Sequence, residues 1–316
     1  MFHKKLLALI GGAMALSLIS AQPALAQIAP DDRGGVDERA NSDRIVPRRE
    51  RDRNRNPQQA APVAAPTPEE NRAAAQAMLT AAGVTCQVSE AALLGVTADQ
   101  YTTYEAVCAG GPGYLAVAST PPQTFNCLEL AGQAETTRMR DPAADVGQQC
   151  TLPVNLDPVP LLTTYARAAG VDCTIDKGAA IGKSTAGNLI YEIGCADRDG
   201  YWLEQAAEGW VATPCWDLAL QQDTCRYSTE AETKGAWGTV LAGTAAAACD
   251  VQEARRVGRD AQGLTVYEVK CGAGDGYFAR VGTTYTAQRV HTCAEAATIA
   301  GGCTLTAVAP AATTEE

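Results

Sequence analysis

Apolar and polar positions alternate most cleanly around residues 266–271, where Tyr267, Val269 and Cys271 fall on one side and Val266, Glu268 and Lys270 on the other. A period of two predicts a half-buried strand, with the tyrosine facing a core and the glutamate facing water. Tyr104-Glu105 and Tyr191-Glu192 sit in similar short segments. A different periodicity lies upstream. Residues 69–82 and 161–169 are alanine-rich with helical spacing, and both end in Ala-Ala-Gly-Val one residue before a cysteine. This predicts a helix, a glycine stop and the start of a strand. Residues 236–248 fit less well, because Gly238 and Gly243 interrupt them.

Laid on itself at its cysteines, the chain repeats three times. Residues 86–108, 173–195 and 249–271 align without a gap, and cysteine opens and closes each. Shared columns hold Val88/Ile175/Val251, Leu94/Ile181/Val257, Gly95/Gly182/Gly258 and the three Tyr-Glu pairs. Gly-Tyr-apolar follows as Gly113-Tyr114-Leu115, Gly200-Tyr201-Trp202 and Gly276-Tyr277-Phe278, reading as a further antiparallel strand after a turn. A third cysteine comes at Cys127, Cys215 and Cys293 and a fourth at Cys150, Cys225 and Cys303; the first copy carries a polar insertion around residues 135–145 between them. Segments 215–220 and 293–299 read as short helices.

The expected fold class is therefore α+β: three tandem small disulfide-stapled modules, each a helix followed by a three- or four-stranded antiparallel sheet and a short helix. They span residues 68–152, 158–228 and 232–305. If residues 173–181 and 188–195 form a hairpin turning at 183–187, Cys173 and Cys195 meet at its open end, close enough to bond. The same geometry gives Cys86–Cys108 and Cys249–Cys271, and pairing third with fourth gives Cys127–Cys150, Cys215–Cys225 and Cys293–Cys303. Four cysteines allow three connectivities per module, so this pairing rests on the hairpin rather than on spacing. Closing a loop of about 23 residues contributes roughly 3 kcal/mol in the chain-entropy picture, which matters to modules too small for a large core.

Composition fixes the setting. Lys4 and Lys5, an apolar stretch over 6–19 and Ala24-Leu25-Ala26 read as a signal peptide over 1–26, cleaved before Gln27. Its export agrees with an even count of 12 cysteines. The expected location is the periplasm or the medium, with no transmembrane segment. Residues 27–67 lack hydrophobic periodicity and read as a disordered Arg/Pro/Ala-rich arm, and 306–316 as a disordered tail. Removing the two signal lysines and the arm's net +1 from the chain's −11 leaves −14 on residues 68–316. So acidic a body repels nucleic acid and anionic lipid.

Candidate chemistry is thin. Gly178-Ala179-Ala180-Ile181-Gly182-Lys183-Ser184-Thr185 is one residue short of a phosphate-binding loop and follows no βαβ pattern, so it reads as a strand end and turn. No Cys-x-x-Cys pair occurs, and His291 is the one histidine after the signal segment. Metal, cofactor and histidine-dependent catalysis are therefore not expected, and no catalytic residue is singled out. Large aromatics are favoured interface anchors, which makes Trp202, Trp210, Trp216 and Phe278 candidates for a partner surface. Filling a small core is an equal alternative for them. The sequence thus points to a non-enzymatic exported envelope protein, scaffolding or protein-binding, whose partner is an envelope protein or cell-wall polymer. The competing class is a carboxylate-dependent hydrolase acting on envelope polymers.

Overall fold

The computed structural model describes residues 65–299 and 301–306; the segment expected as a signal peptide, the expected arm up to residue 64 and the expected tail after residue 306 lie outside the described residues. Thr67 opens the first helix, α1 (Pro68–Ala81), accepting from the Glu70 amide at 3.2 Å while the Glu70 carboxylate accepts from the Thr67 amide at 2.7 Å. This reciprocal cap satisfies two amides that a helix start leaves unpaired. Strands β1 (Val88–Val96), β2 (Thr102–Cys108), β3 (Tyr114–Val117) and β4 (Gln123–Asn126) follow, then α2 (Cys127–Arg140) and a short α3 (Pro153–Leu156). The second copy runs α4 (Val159–Ala168), β5 (Ile175–Lys183), β6 (Leu189–Cys195), β7 (Arg198–Ala206), β8 (Gly209–Pro214) and α5 (Cys215–Ala219). The third runs α6 (Glu230–Val240), β9 (Val251–Arg259), β10 (Thr265–Cys271), β11 (Tyr277–Val281), β12 (Ala287–Thr292) and a 3-10 turn, Glu295–Thr298.

Each copy is thus a helix followed by a four-stranded antiparallel meander, with strands in sequence order across the sheet. Helices α1 and α4 occupy the segments their periodicity predicts. The third helix starts earlier than residue 236, because Thr229 and Glu232 build a second reciprocal cap upstream and the helix has run its length by Val240. Residues 241–248 make turns instead, with Gly243 at φ 74°.

The cysteines bond first to second and third to fourth in every copy: Cys86–Cys108, Cys127–Cys150, Cys173–Cys195, Cys215–Cys225, Cys249–Cys271 and Cys293–Cys303. The hairpin geometry is slightly different from a simple face-to-face pair. The second cysteine lies opposite Val88, Ile175 or Val251, two residues after the first. The first cysteine therefore sits just ahead of its strand and reaches across, with Cα atoms 5.3, 5.7 and 5.1 Å apart.

One expectation is overturned. Glu105, Glu192 and Glu268 do not face water; all three are 0% exposed. The sheets are covered on both sides. In the first copy α1 packs Ala75 and Leu79 onto Ala91, Ala106 and Ala116 on the face that carries Tyr104. The glutamate face is closed by the chain between the third cysteine and the residues just past the fourth. Alternation along one strand reports two faces but not what covers each of them.

Candidate functional site

The buried glutamates are the most regular feature of the structure. Glu105 accepts from the Thr151 amide and hydroxyl at 2.8 Å, from the Leu152 amide at 2.9 Å and from Asn155 Nδ2 at 2.8 Å. Glu192 accepts from the amides of Arg226 and Tyr227 and from Trp202 Nε1. Glu268 accepts from the Thr304 and Leu305 amides at 2.6 Å and pairs with Arg255. The donors in every copy are the two amides that follow the fourth cysteine. A disulfide thus fixes where this segment begins, and a carboxylate two strands away holds it down through charge-assisted bonds.

The environments differ in charge. Burial pushes the Glu192 carboxyl upward, outweighing the amides of Tyr227 and Arg226 and the Trp202 indole. Burial acts the same way on Glu268, but the Leu305 amide, Arg255 and the Thr304 amide together hold it below the usual glutamate value. Neither arrangement suits proton transfer. A general base needs a free lone pair within reach of substrate, and these oxygens are enclosed and occupied by the protein's own donors. Glu105 also lies near the sulfurs of Cys127 and Cys150, and Glu268 near those of Cys293 and Cys303, but each sulfur pair is a disulfide and offers no thiolate.

A second repeated feature joins the copies. The residue after the third cysteine leaves its own module and enters the core of the next. Leu128 lies among Leu162, Ala166, Tyr191, Ile193 and Leu203, and Trp216 among Trp237, Leu241, Tyr267 and Val269. The Trp216 ring centroid is 4.6 Å from Trp237 and 5.1 Å from Tyr267, whose hydroxyl donates to Asp217 at 2.6 Å. Buried Asp199 of β7 adds a polar tie, accepting from the Trp216 amide at 2.9 Å and from the Thr233 hydroxyl of α6 at 3.1 Å. Burial raises the Asp199 carboxyl above its ordinary value. The sequence carries this signal as Leu128-Glu129, Trp216-Asp217 and Ala294-Glu295, a plug position followed by an acid. In the third copy the plug is Ala294, and it is exposed.

The four aromatic candidates separate. Trp216 and Phe278 are 3% and 1% exposed and fill cores, which removes them from the surface. Trp210 stacks on Tyr165 with centroids 4.2 Å apart, and Trp202 is tied to Glu192; both stay partly exposed. His291 is half-buried, and its Nε2 has no hydrogen-bond partner among the described residues. Exposed large apolar side chains that were not anticipated include Leu93 (40%), Val96 (63%) and Phe125 (42%) of the first copy's sheet and Tyr101 (40%) in its β1–β2 turn, with others at Met139, Val154, Leu156 and Val211. A cleft of about 460 Å³ between α5, α6 and β9 is lined by the Cys215–Cys225 disulfide, Leu220, Lys234 and Glu253 among others.

No family model, curated protein or solved structure matches the chain. The functional reading therefore rests on geometry.

Proposed function

We propose that the chain is a non-enzymatic exported protein of the cell envelope, a scaffolding or protein-binding array of three interlocked, disulfide-stapled modules. The observation that carries this reading is the fate of the repeated carboxylate. In all three copies it is spent on fastening the chain's own backbone, and no copy departs from its siblings by opening the carboxylate into a polar cleft. The three sheets lie within one compact unit of the described residues, and the second and third cores are each completed by a side chain from the module before it. Such an array presents several surfaces at fixed spacing, and linked weak contacts bind more tightly than single ones. Six disulfides suit an oxidising compartment, and among the described residues no helix is long and apolar enough to cross a membrane. With the N-terminal signal-like segment, these features support export to the periplasm or the medium.

The test pairs two assays on the purified mature protein. Crosslinking in its own cells is expected to yield a stoichiometric envelope partner, and incubation with purified cell wall is expected to release no soluble fragments. Release of fragments by the wild-type chain that stops in Glu192→Gln would contradict the proposal.

A further inference from the structure

We propose that the β1 edge of the first module, centred on Leu93 and Val96, is a docking surface for an apolar, basic-rimmed α-helix supplied by a partner protein. The inference rests on the scaffold reading and names the site and the kind of partner. It follows from comparing equivalent columns of the three repeats. Leu93, Ala180 and Arg256 share one column; Val96, Lys183 and Arg259 share another. In the second module both positions are taken by the preceding helix. Gly132 of α2 packs so closely that a Cβ there would lie 1.8 Å from the Ala180 carbonyl oxygen, and Glu129 of α2 pairs with Lys183 at 2.9 Å. In the third module Arg256 lies directly opposite Tyr267, against which the preceding Trp216 packs. Among the described residues no helix precedes α1 to play this part for the first module.

This face, uncovered among the described residues, has the chemistry of a contact. Leu93 and Val96 are 40% and 63% exposed, and Tyr104, directly opposite Leu93, is half-buried while Tyr191 and Tyr267 are buried. A strand is a poor occupant, because β1 has register breaks between Val88 and Glu90 and between Leu93 and Gly95 that interrupt edge pairing. Strand β5 carries the corresponding breaks, between Ile175 and Lys177 and between Ala180 and Gly182, and takes a helix. A second copy of this chain joined head to tail is also a poor occupant. Among the described residues its third module offers Ala294 as plug and a single 3-10 turn, and Glu295 is engaged by the Thr292 amide at 2.9 Å. With valine in the column of Lys183, the occupant needs an apolar residue where α2 has Glu129. Exposed Glu90 and Asp99 flank the face and favour Lys or Arg on the helix rim.

The probe is a fluorescent, side-chain-stapled peptide of residues 126–141 carrying Glu129→Leu, Gln133→Lys and Thr137→Lys, titrated into the full mature chain by anisotropy. Saturable binding is expected, weakened at least ~10-fold by Leu93→Asp and by Val96→Asp, since truncating a central apolar anchor typically costs that much. Val211→Asp, at an exposed apolar position of the second module, is expected to leave it unchanged. Val96 is the more exposed of the two, so its variant reads the surface even if Leu93→Asp disturbs folding. Absence of saturable binding, or equal binding by both aspartate variants, overturns the proposal. So does a chain that sediments as a dimer and is made monomeric by Val96→Asp, which would assign the face to self-association. Each of these results leaves the scaffold reading standing, whereas cell-wall turnover would remove that reading by itself.

Discussion

The two junctions between modules use the same repeat column and solve the same problem with different means. At the first, a 14-residue helix lies along the edge strand of the next sheet and spreads the contact. Leu128 enters the core, Gly132 lets the backbones touch, and beyond it Tyr227 donates its hydroxyl to Glu135 at 2.7 Å and Arg226 donates to Thr136 at 3.0 Å. At the second, the helix has 5 residues; Trp216 with its aromatic neighbours and the Asp217–Tyr267 bond fills the core, while α6 packs on β7 through the Asp199–Thr233 bond. A repeat can therefore hold one joining position constant while trading helix length against side-chain size. The cleft beside β9 lies where the shorter helix leaves that edge less covered.

Substitutions can break this contrast. Trp216→Ala should have the largest effect, about 3–5 kcal/mol, because it empties a large aromatic position in the third module's core among Trp237, Leu241, Tyr267 and Val269. Calorimetry should show the third module melting ahead of the rest; a smaller loss than in Leu128→Ala would reverse the contrast. Gly132→Val should cost about 1–3 kcal/mol or more, since the Ala180 backbone carbonyl cannot move aside as a flexible side chain could. Denaturant unfolding with probes in the first and second modules would register it. Tyr267→Phe leaves the buried Asp217 oxygen without its donor and should cost about 1–3 kcal/mol, again read by the third module's melting. Lys183→Ala should cost less than about 1 kcal/mol, because its pair with Glu129 is solvent-exposed; a large loss would mean that charge and not packing holds the first junction.

The latches of the second and third modules should part company with pH. Glu268 has a folded-state pKa below its unfolded value, so its contribution is present above the ordinary glutamate value near ~4.3 and is lost as pH falls through the folded pKa. Glu192 has the opposite sign. Its raised folded pKa means that the folded state binds the proton more tightly, so acidification through that range does not weaken folding through this group. Hydrogen exchange on acidification should therefore expose the Thr304 and Leu305 amides before those of Arg226 and Tyr227. Simultaneous loss would indicate that Arg255 does not distinguish the two sites.

The repeat, the helices ahead of the first two copies and the hairpin crossed by its cysteines were legible because they rest on local signals: period, glycine stops and fixed spacing. The burial of Glu105, Glu192 and Glu268 was not, because the amides that cover them arrive 34 to 47 residues later in the chain. An alternating strand looks the same whether its polar side meets water or a returning backbone. The start of α6 lies outside the stretch that periodicity marks, because its cap at Thr229 and Glu232 sits upstream of the alanine-rich residues 236–248. The plugs were visible as an apolar residue between the third cysteine and an acid, yet only the fold reveals that Leu128 and Trp216 serve the module after their own.

The interlocking of modules is tested most directly by residue-resolved hydrogen exchange on Trp216→Ala at neutral pH. Amides of β9, β10 and β11 should lose protection strongly, those of β5 and β6 only slightly, and those of β1 and β2 not at all. Unchanged protection in the third sheet, or an equal loss in all three, would contradict a core completed from the module before it.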